Sequence, residues 1–350
     1  MNIAEMVQHD PNLAAPAARS APVFSGATMP KTLLGFVWEV SARHQFYLSL
    51  LSVLVFVLST APLEVQRRIV NDAFKGGDYV AIIWLALIYL GLALGEGLLK
   101  LVMNIYRAWV GEVSVLSLRM TVHRLIHGLP EELSSAEALG VETSMMLSES
   151  EPIGGFVGVY VSEPMMQGGI LISVFSYMIY LQPLMALVAF VVFCPQIVFV
   201  PLIQRAINRR VARRIKTLRE VSMSMIADPA GVGVLGRAQE DRIGQVFGFN
   251  MGIYKLKFSM NFFMNILHHS GTALVLGIGG WFVVRGQTEI GTVVAFVSGL
   301  TKINDPWGDL VNWFRDLTVT ETKYRLIANA IQMLADAKLG AGREPADIVE

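Results

Sequence analysis

Few side chains here could do chemistry, and most of them stand inside apolar runs. Glu96 and Lys100 lie four residues apart in LGLALGEGLLKLV, His268 and His269 are adjacent, and Ser298, Lys302, Asp305 and Asp309 recur in SGLTKINDPWGDL. An i,i+4 Glu–Lys pair can neutralise itself in a low-dielectric setting. A histidine pair could relay protons, but adjacent positions turn the two rings to different faces, so at most one lines a shared cavity; no third ligand is placed near them, which argues against a metal. At 100° per residue, Ser298, Lys302, Asp305, Asp309, Trp313 and Asp316 fall within about 80° of one another. Val293, Phe296, Leu300, Ile303, Trp307 and Phe314 lie opposite them. A charge at the bilayer centre costs at least ~2.5–3.5 kcal/mol, so such a stripe avoids lipid. It is expected to face a water-filled cavity, with Glu96, Lys100, His268, Ser298, Lys302, Asp305 and Asp309 as candidate lining residues. Simpler readings stay open: Asp309 and later residues already outside the bilayer, and Glu96–Lys100 a structural pair near the interface.

The elements that must carry these residues are membrane helices. Hydrophobic residues make up 53% of the 350 and charged residues 16%, against about 25% charged in a typical soluble domain. With 28 Lys and Arg balanced by 28 Asp and Glu, nothing points to nucleic acid. The single cysteine, Cys194, excludes an intrachain disulfide and a thiolate metal cluster, and reads as a small core hydrophobe. Spans of about 20 apolar residues are expected near 46–63, 79–99, 160–180, 183–204, 262–284 and 291–311. The third and fourth come from a charge-free run, Pro164 to Gln204, which Leu181-Gln182-Pro183 divides because proline disfavours helix before it. Pro306 should bend the sixth. Residues 1–30, rich in Ala and Pro, read as a disordered lead-in, and 331–350 as a short tail.

Basic residues orient the spans. Arg205 to Arg219 holds seven Lys and Arg and no acid, which places that end, and with six spans both termini, in the cytoplasm. The same run suits anionic headgroups. Arg67 and Arg68 oppose the rule. Outer connections are short: Glu64 to Asp78, the Gln182-Pro183 turn, and Arg285 to Ile290. The inner ones run to fifty or sixty residues, and Ala108 to Leu129 and Ile203 to Met225 keep helical spacing, so membrane helices are expected to continue as stalks. Their tips fall at Pro130 and at Asp228-Pro229-Ala230-Gly231.

Six spans, short outer loops and two long helical inner loops resemble the type 1 transmembrane domain of ABC exporters. Gly286, Thr288, Gly291, Val293, Ala295 and Phe296 fit that family's entry into its sixth span, and Leu317 to Ile327 with Arg325 is similar to its closing segment. Lys31 to Gln45 would be the elbow helix on the inner face, and His127 to Met145 the first intracellular loop. The resemblance covers about 31–330 and implies an all-α permease half-transporter. No G-x-x-x-x-G-K-[ST] phosphate loop occurs in these residues, so no cofactor is expected on the chain itself and ATP acts only through a partner. That partner is a second half-transporter in a homo- or heterodimer, or a separate ATPase subunit. Docking candidates are Glu131, Glu132, Ser134, Ala136 and Gly140 in the first loop, and Pro229 and Gly231 in the second, where proline and glycine break the helix the family carries. The alternative is a non-transporting membrane interaction or regulatory protein on the same scaffold.

Overall fold

A computed structural model of the chain describes residues 22–24, 29–126, 150–227 and 234–341. Among them all regular structure is α-helix: α1 Leu33–Phe74, α2 Tyr79–Ile126, α3 Ser150–Val159, α4 Ser162–Leu181, α5 Pro183–Ala227, α6 Val234–Val284 and α7 Ile290–Ala341. The all-α expectation holds. Five helical segments, within α1, α2, α3–α4, α5 and α6, are long and apolar enough to cross a membrane. α7 is long enough but not apolar enough, because Lys302, Asn304, Asp305 and Asp309 interrupt its hydrophobic half. Its other face is packed: Val293, Phe296, Leu300 and Ile303 are buried.

Several boundaries depart from expectation. α1 continues through Pro62 to Phe74, so the first outer loop shrinks to 75–78. Ion pairs at helical spacing, Arg67 to Glu64 at 2.8 Å and Arg68 to Glu64 at 2.7 Å, support the added turns. α7 runs without interruption through Pro306 and on to Ala341, past the expected boundary at 330, with Ile331 and Ala335 buried. Cys194 is exposed rather than core, among the exposed apolar residues Val191, Ile197 and Val198 on α5. α4 ends at Leu181 and α5 begins at Pro183, where the sequence placed the turn. Residues 127–149 and 228–233, with all seven docking candidates, lie outside the described residues.

The chain divides into two compact units. One comprises 1–62, 86–173 and 305–350. In it α1 is broken at Ser41 (φ −140°, ψ 20°), so Leu33 to Val40 forms a separate short helix, the expected elbow, ahead of the span. Ser41 Oγ donates to Val37 O at 2.8 Å, and Gln45 Nε2 donates to Ser41 Oγ at 3.1 Å, satisfying groups at the break. The lead-in is not disordered where it is described. Phe24 and Met29 are buried, and Phe24 N donates to Thr121 Oγ1 at 3.1 Å. Phe24 meets Phe36, which meets Tyr324, and the Tyr324 hydroxyl donates to Pro30 O at 2.6 Å. Burial, with Glu39 adding to it, pushes that phenol above its ordinary pKa.

α2 and α3 approach within backbone contact in the same unit. A Cβ on Gly158 would overlap Arg107 O, and one on Gly154 would sit 2.6 Å from Val115 N and 2.9 Å from Gly111 O. Gly154 and Gly158 form a G-x-x-x-G pair, the small-residue spacing that lets membrane helices close on one another.

The other unit comprises 63–85 and 174–304. α5 and α6 pack along each other, with Gly252 facing Arg210 and Arg214 Nη1 donating to Asn250 Oδ1 at 3.2 Å. The end of α1 is tied to the start of α7. Asn71 Oδ1 accepts from Gly291 N at 2.8 Å, and Glu289 accepts from Asn71 Nδ2, Arg67 and Lys75. Asn71 therefore supplies one partner for the unpaired N–H groups that begin any helix.

The glycine contact predicts a sharp contrast. Gly158→Val forces α2 and α3 apart and should cost at least the ~1–3 kcal/mol of an overpacked core, lowering the melting temperature of the detergent-purified chain. Gly155→Val, whose Cβ meets nothing within 4 Å, should change it little. Equal shifts for the two would refute the packing.

Candidate functional site

Three helices of the first unit converge on a buried polar chain. Closure at Gly158 brings Arg107 of α2 against the start of α4, one turn further on. Arg107 Nε donates to Ser162 Oγ at 2.7 Å, and its Nη1 pairs with Glu163 Oε2 at 2.6 Å. The side chains are 7% and 18% exposed, so this is a buried ion pair. Gln167, one turn along α4, donates from Nε2 to Glu163 Oε1 at 2.8 Å and to Asp309 Oδ2 of α7 at 3.0 Å. One guanidinium thus pairs with one carboxylate, and an amide links that carboxylate to a second.

The α3–α4 joint that positions Glu163 follows from Pro164. Proline has no N–H to close a helical bond onto Tyr160 O, and the chain breaks over 160–161. α1 covers the break: Gln45 Nε2 donates to Val157 O at 2.9 Å, and Ser52 Oγ to Ser162 O at 3.1 Å. Below it, Trp313 of α7 stacks on Phe156 at 6.2 Å. A cleft of about 340 Å³ there is lined by Pro152, Phe156 and Val159 of α3 and by Asp316, Val319 and Thr320 of α7.

The remaining candidates fall elsewhere. Glu96 and Lys100 pair at 2.8 Å, with Glu96 almost fully buried and the Lys100 side chain 40% exposed. They neutralise each other along α2. In the second unit, His268 lines a small cavity of about 20 Å³ with Gln196, Gly271, Leu300 and Asn304, while His269 is exposed. That volume holds one water, and Gln196 Oε1 is buried without a protein partner. Ser298 and Lys302 are half-buried and Asp305 is exposed. Of the seven cavity candidates, then, only Asp309 joins the polar chain, as its exposed end.

Sequence reasoning missed Arg107, Ser162 and Gln167. Arg107 reads as one more basic residue after a span, and Gln167 carries no charge to flag it inside an apolar run. Arg107 stands seven residues after Lys100 and eleven after Glu96, a helical spacing that could have drawn attention to it.

These contacts set an energetic test. Removing one member of a buried pair strands the other, at about 3–5 kcal/mol, whereas replacing both with apolar or neutral groups is often near neutral. Glu163→Gln and Arg107→Met alone should each destabilise the purified chain strongly, and the double variant should melt closer to wild type than either. Additive losses would show that the pair is not coupled.

A family model for the ABC transporter transmembrane region matches residues 46–228, from the first span through the end of α5. A comparison with curated proteins finds no match. The match covers more than half of the chain, and with helices built to cross a membrane and polar groups turned inward it leads to one conclusion: the chain belongs to the ABC transporter transmembrane family and is a membrane component of such a transporter.

Proposed function

We propose that this chain forms one half of a substrate pathway driven by ATP hydrolysed on a partner. The observation that carries the reading is the convergence of Arg107, Glu163, Gln167 and Asp309 from three membrane helices. Charged groups are kept at membrane depth only where they pair with one another or face a cavity, and they mark transport pathways. Asp309 belongs to the polar stripe of α7 and accepts from Gln167 of α4, which ties that part of the stripe to the chain.

The motor is a nucleotide-binding domain outside these 350 residues, on a second half-transporter or a separate ATPase subunit. In this reading both termini and the two long inner loops, between the second and third and between the fourth and fifth spans, face the cytoplasm, and Glu131 to Gly140 takes the force from the motor. The basic run Arg205 to Arg219 supports the orientation.

Two measurements check this. The chain purified alone should neither hydrolyse nor saturably bind ATP, while purification from native membrane should bring down an ATPase-bearing partner. Micromolar nucleotide binding by the isolated chain would overturn the division of labour, and a partner without an ATPase domain would favour a non-transporting scaffold. In a Cys194→Ser background, external thiol reagents should reach cysteines at positions 182 and 287 in sealed cells and not at 136. The reverse pattern would invert the topology.

A further inference from the structure

α2 marks its own membrane boundaries. Tyr79 and Trp84 stand near its start and Tyr106 and Trp109 roughly thirty residues later. At ~1.5 Å per residue that separation is about 45 Å, the thickness of a bilayer with its headgroup layers. Between them the helix exposes Ile83, Leu87, Leu90, Leu94, Leu98, Leu101 and Ile105. Tyr106 and Trp109 are thus at headgroup depth, where amphipathic rings accumulate.

At that level α1 and α2 build an ordered cluster within one unit. His44 Nδ1 and the Tyr106 hydroxyl share a hydrogen bond at 2.6 Å. Trp109 stacks on Tyr106 at 6.0 Å and 13°, and meets the His44 ring edge-on at 5.0 Å. The break at Ser41 turns the chain so that Arg43 and His44 open the span. Arg43 is exposed, and among the described residues it has no ion-pair or hydrogen-bond partner; Glu39, one turn earlier, is not within ion-pair distance. The Trp109 indole N–H likewise has no acceptor, and Trp109 is 42% exposed. In the tautomer whose Nδ1 accepts from the Tyr106 hydroxyl, the proton of the neutral His44 ring sits on Nε2, a third donor. A rigid aromatic cluster therefore presents a guanidinium, an indole N–H and an imidazole N–H where the bilayer supplies phosphate oxygens.

We propose that Arg43, His44, Tyr106 and Trp109 form a binding site for the phosphodiester of an anionic phospholipid. Guanidinium–phosphate bonds are among the stronger charge-assisted hydrogen bonds, and the acyl chains would continue along the exposed apolar face of α2. A zwitterionic headgroup sets its own ammonium against Arg43, so the site discriminates by net headgroup charge. The pair Phe46 and Tyr47, exposed beside the cluster, gives the glycerol region an apolar shoulder.

The test uses the full chain in detergent, titrated with phosphatidylglycerol, phosphatidylcholine and inorganic phosphate, with bound lipid counted by native mass spectrometry. Wild type should bind phosphatidylglycerol about tenfold more tightly than Arg43→Gln/Trp109→Phe, the loss expected for removing one charged hydrogen bond. Arg237→Gln, on an exposed residue of α6 far along the chain, should match wild type. If the double variant fails to fold, Arg43→Gln alone carries the comparison. Equal phosphatidylglycerol affinity in wild type and variant overturns the site, as does equal retention of the two lipids by wild type. Competition by inorganic phosphate at lipid-like concentrations would make it a free-anion site and overturn the lipid assignment.

Discussion

The packing that the polar chain depends on is the glycine contact between α2 and α3. With Gly111, Gly154 and Gly158 at the crossing, two helices meet at backbone distance, and the next turn of α4 is carried to the Arg107 guanidinium. A side chain at Gly158 would meet Arg107 O, and moving the helices apart to relieve that contact stretches the bonds to Ser162 and Glu163. The apolar contact therefore comes first in the causal order and the electrostatics second. In a bilayer such contacts rest on close packing rather than on the exclusion of water, so the absence of a Cβ is what makes the crossing possible.

A buried ion pair is weak evidence for stability, since removing two charges from water costs about as much as their attraction returns. Its value here is positional. Arg107 fixes the rotamer of Glu163, Glu163 accepts from Gln167, and Gln167 can then present its second N–H to Asp309. Each bond restricts the next, so α2, α4 and α7 are registered through side chains rather than through apolar bulk alone. The Glu96–Lys100 pair, two to three turns earlier on α2, is formed within one helix rather than between helices.

Much of the architecture was legible in the sequence because it depends on composition and on local chemistry. A charge-free run too long for one span had to break at Pro183. The stalks followed from helical spacing that outlasts any bilayer, and the elbow from the family resemblance. What was not legible depends on tertiary partners. Phe24 sits in an Ala- and Pro-rich segment, and its place in the core depends on docking against Phe36 and Thr121. The extra turns of α1 after Pro62 need Arg67 and Asn71 to find Glu289, more than two hundred residues away. Cys194 was assigned to a core by analogy with soluble proteins, where small apolar side chains go inside; in a membrane helix the outside is apolar too. Asp309 was found from its stripe, but its partner Gln167 has neither charge nor periodicity to betray it.

The α3–α4 joint shows how a broken helix is tolerated at this depth. Hydrocarbon offers no partner for a free carbonyl, and each one left unsatisfied costs several kcal/mol. Pro164 nevertheless removes a helical bond, and the break lies beside the one buried chain that reaches α7. Gln45 and Ser52 of α1 reach across to Val157 O and Ser162 O, so side chains add bonds to acceptors on both sides of the break. Those same two residues lie beyond the Ser41 break of α1, and Gln45 bonds to Ser41 as well. The interruptions in α1 and between α3 and α4 are thereby joined through one amide. A polar site inside an apolar bundle requires irregular backbone to aim its groups, and irregular backbone in lipid requires polar side chains to satisfy it; here Ser162 takes part in both, accepting from Arg107 at its hydroxyl and from Ser52 at its carbonyl.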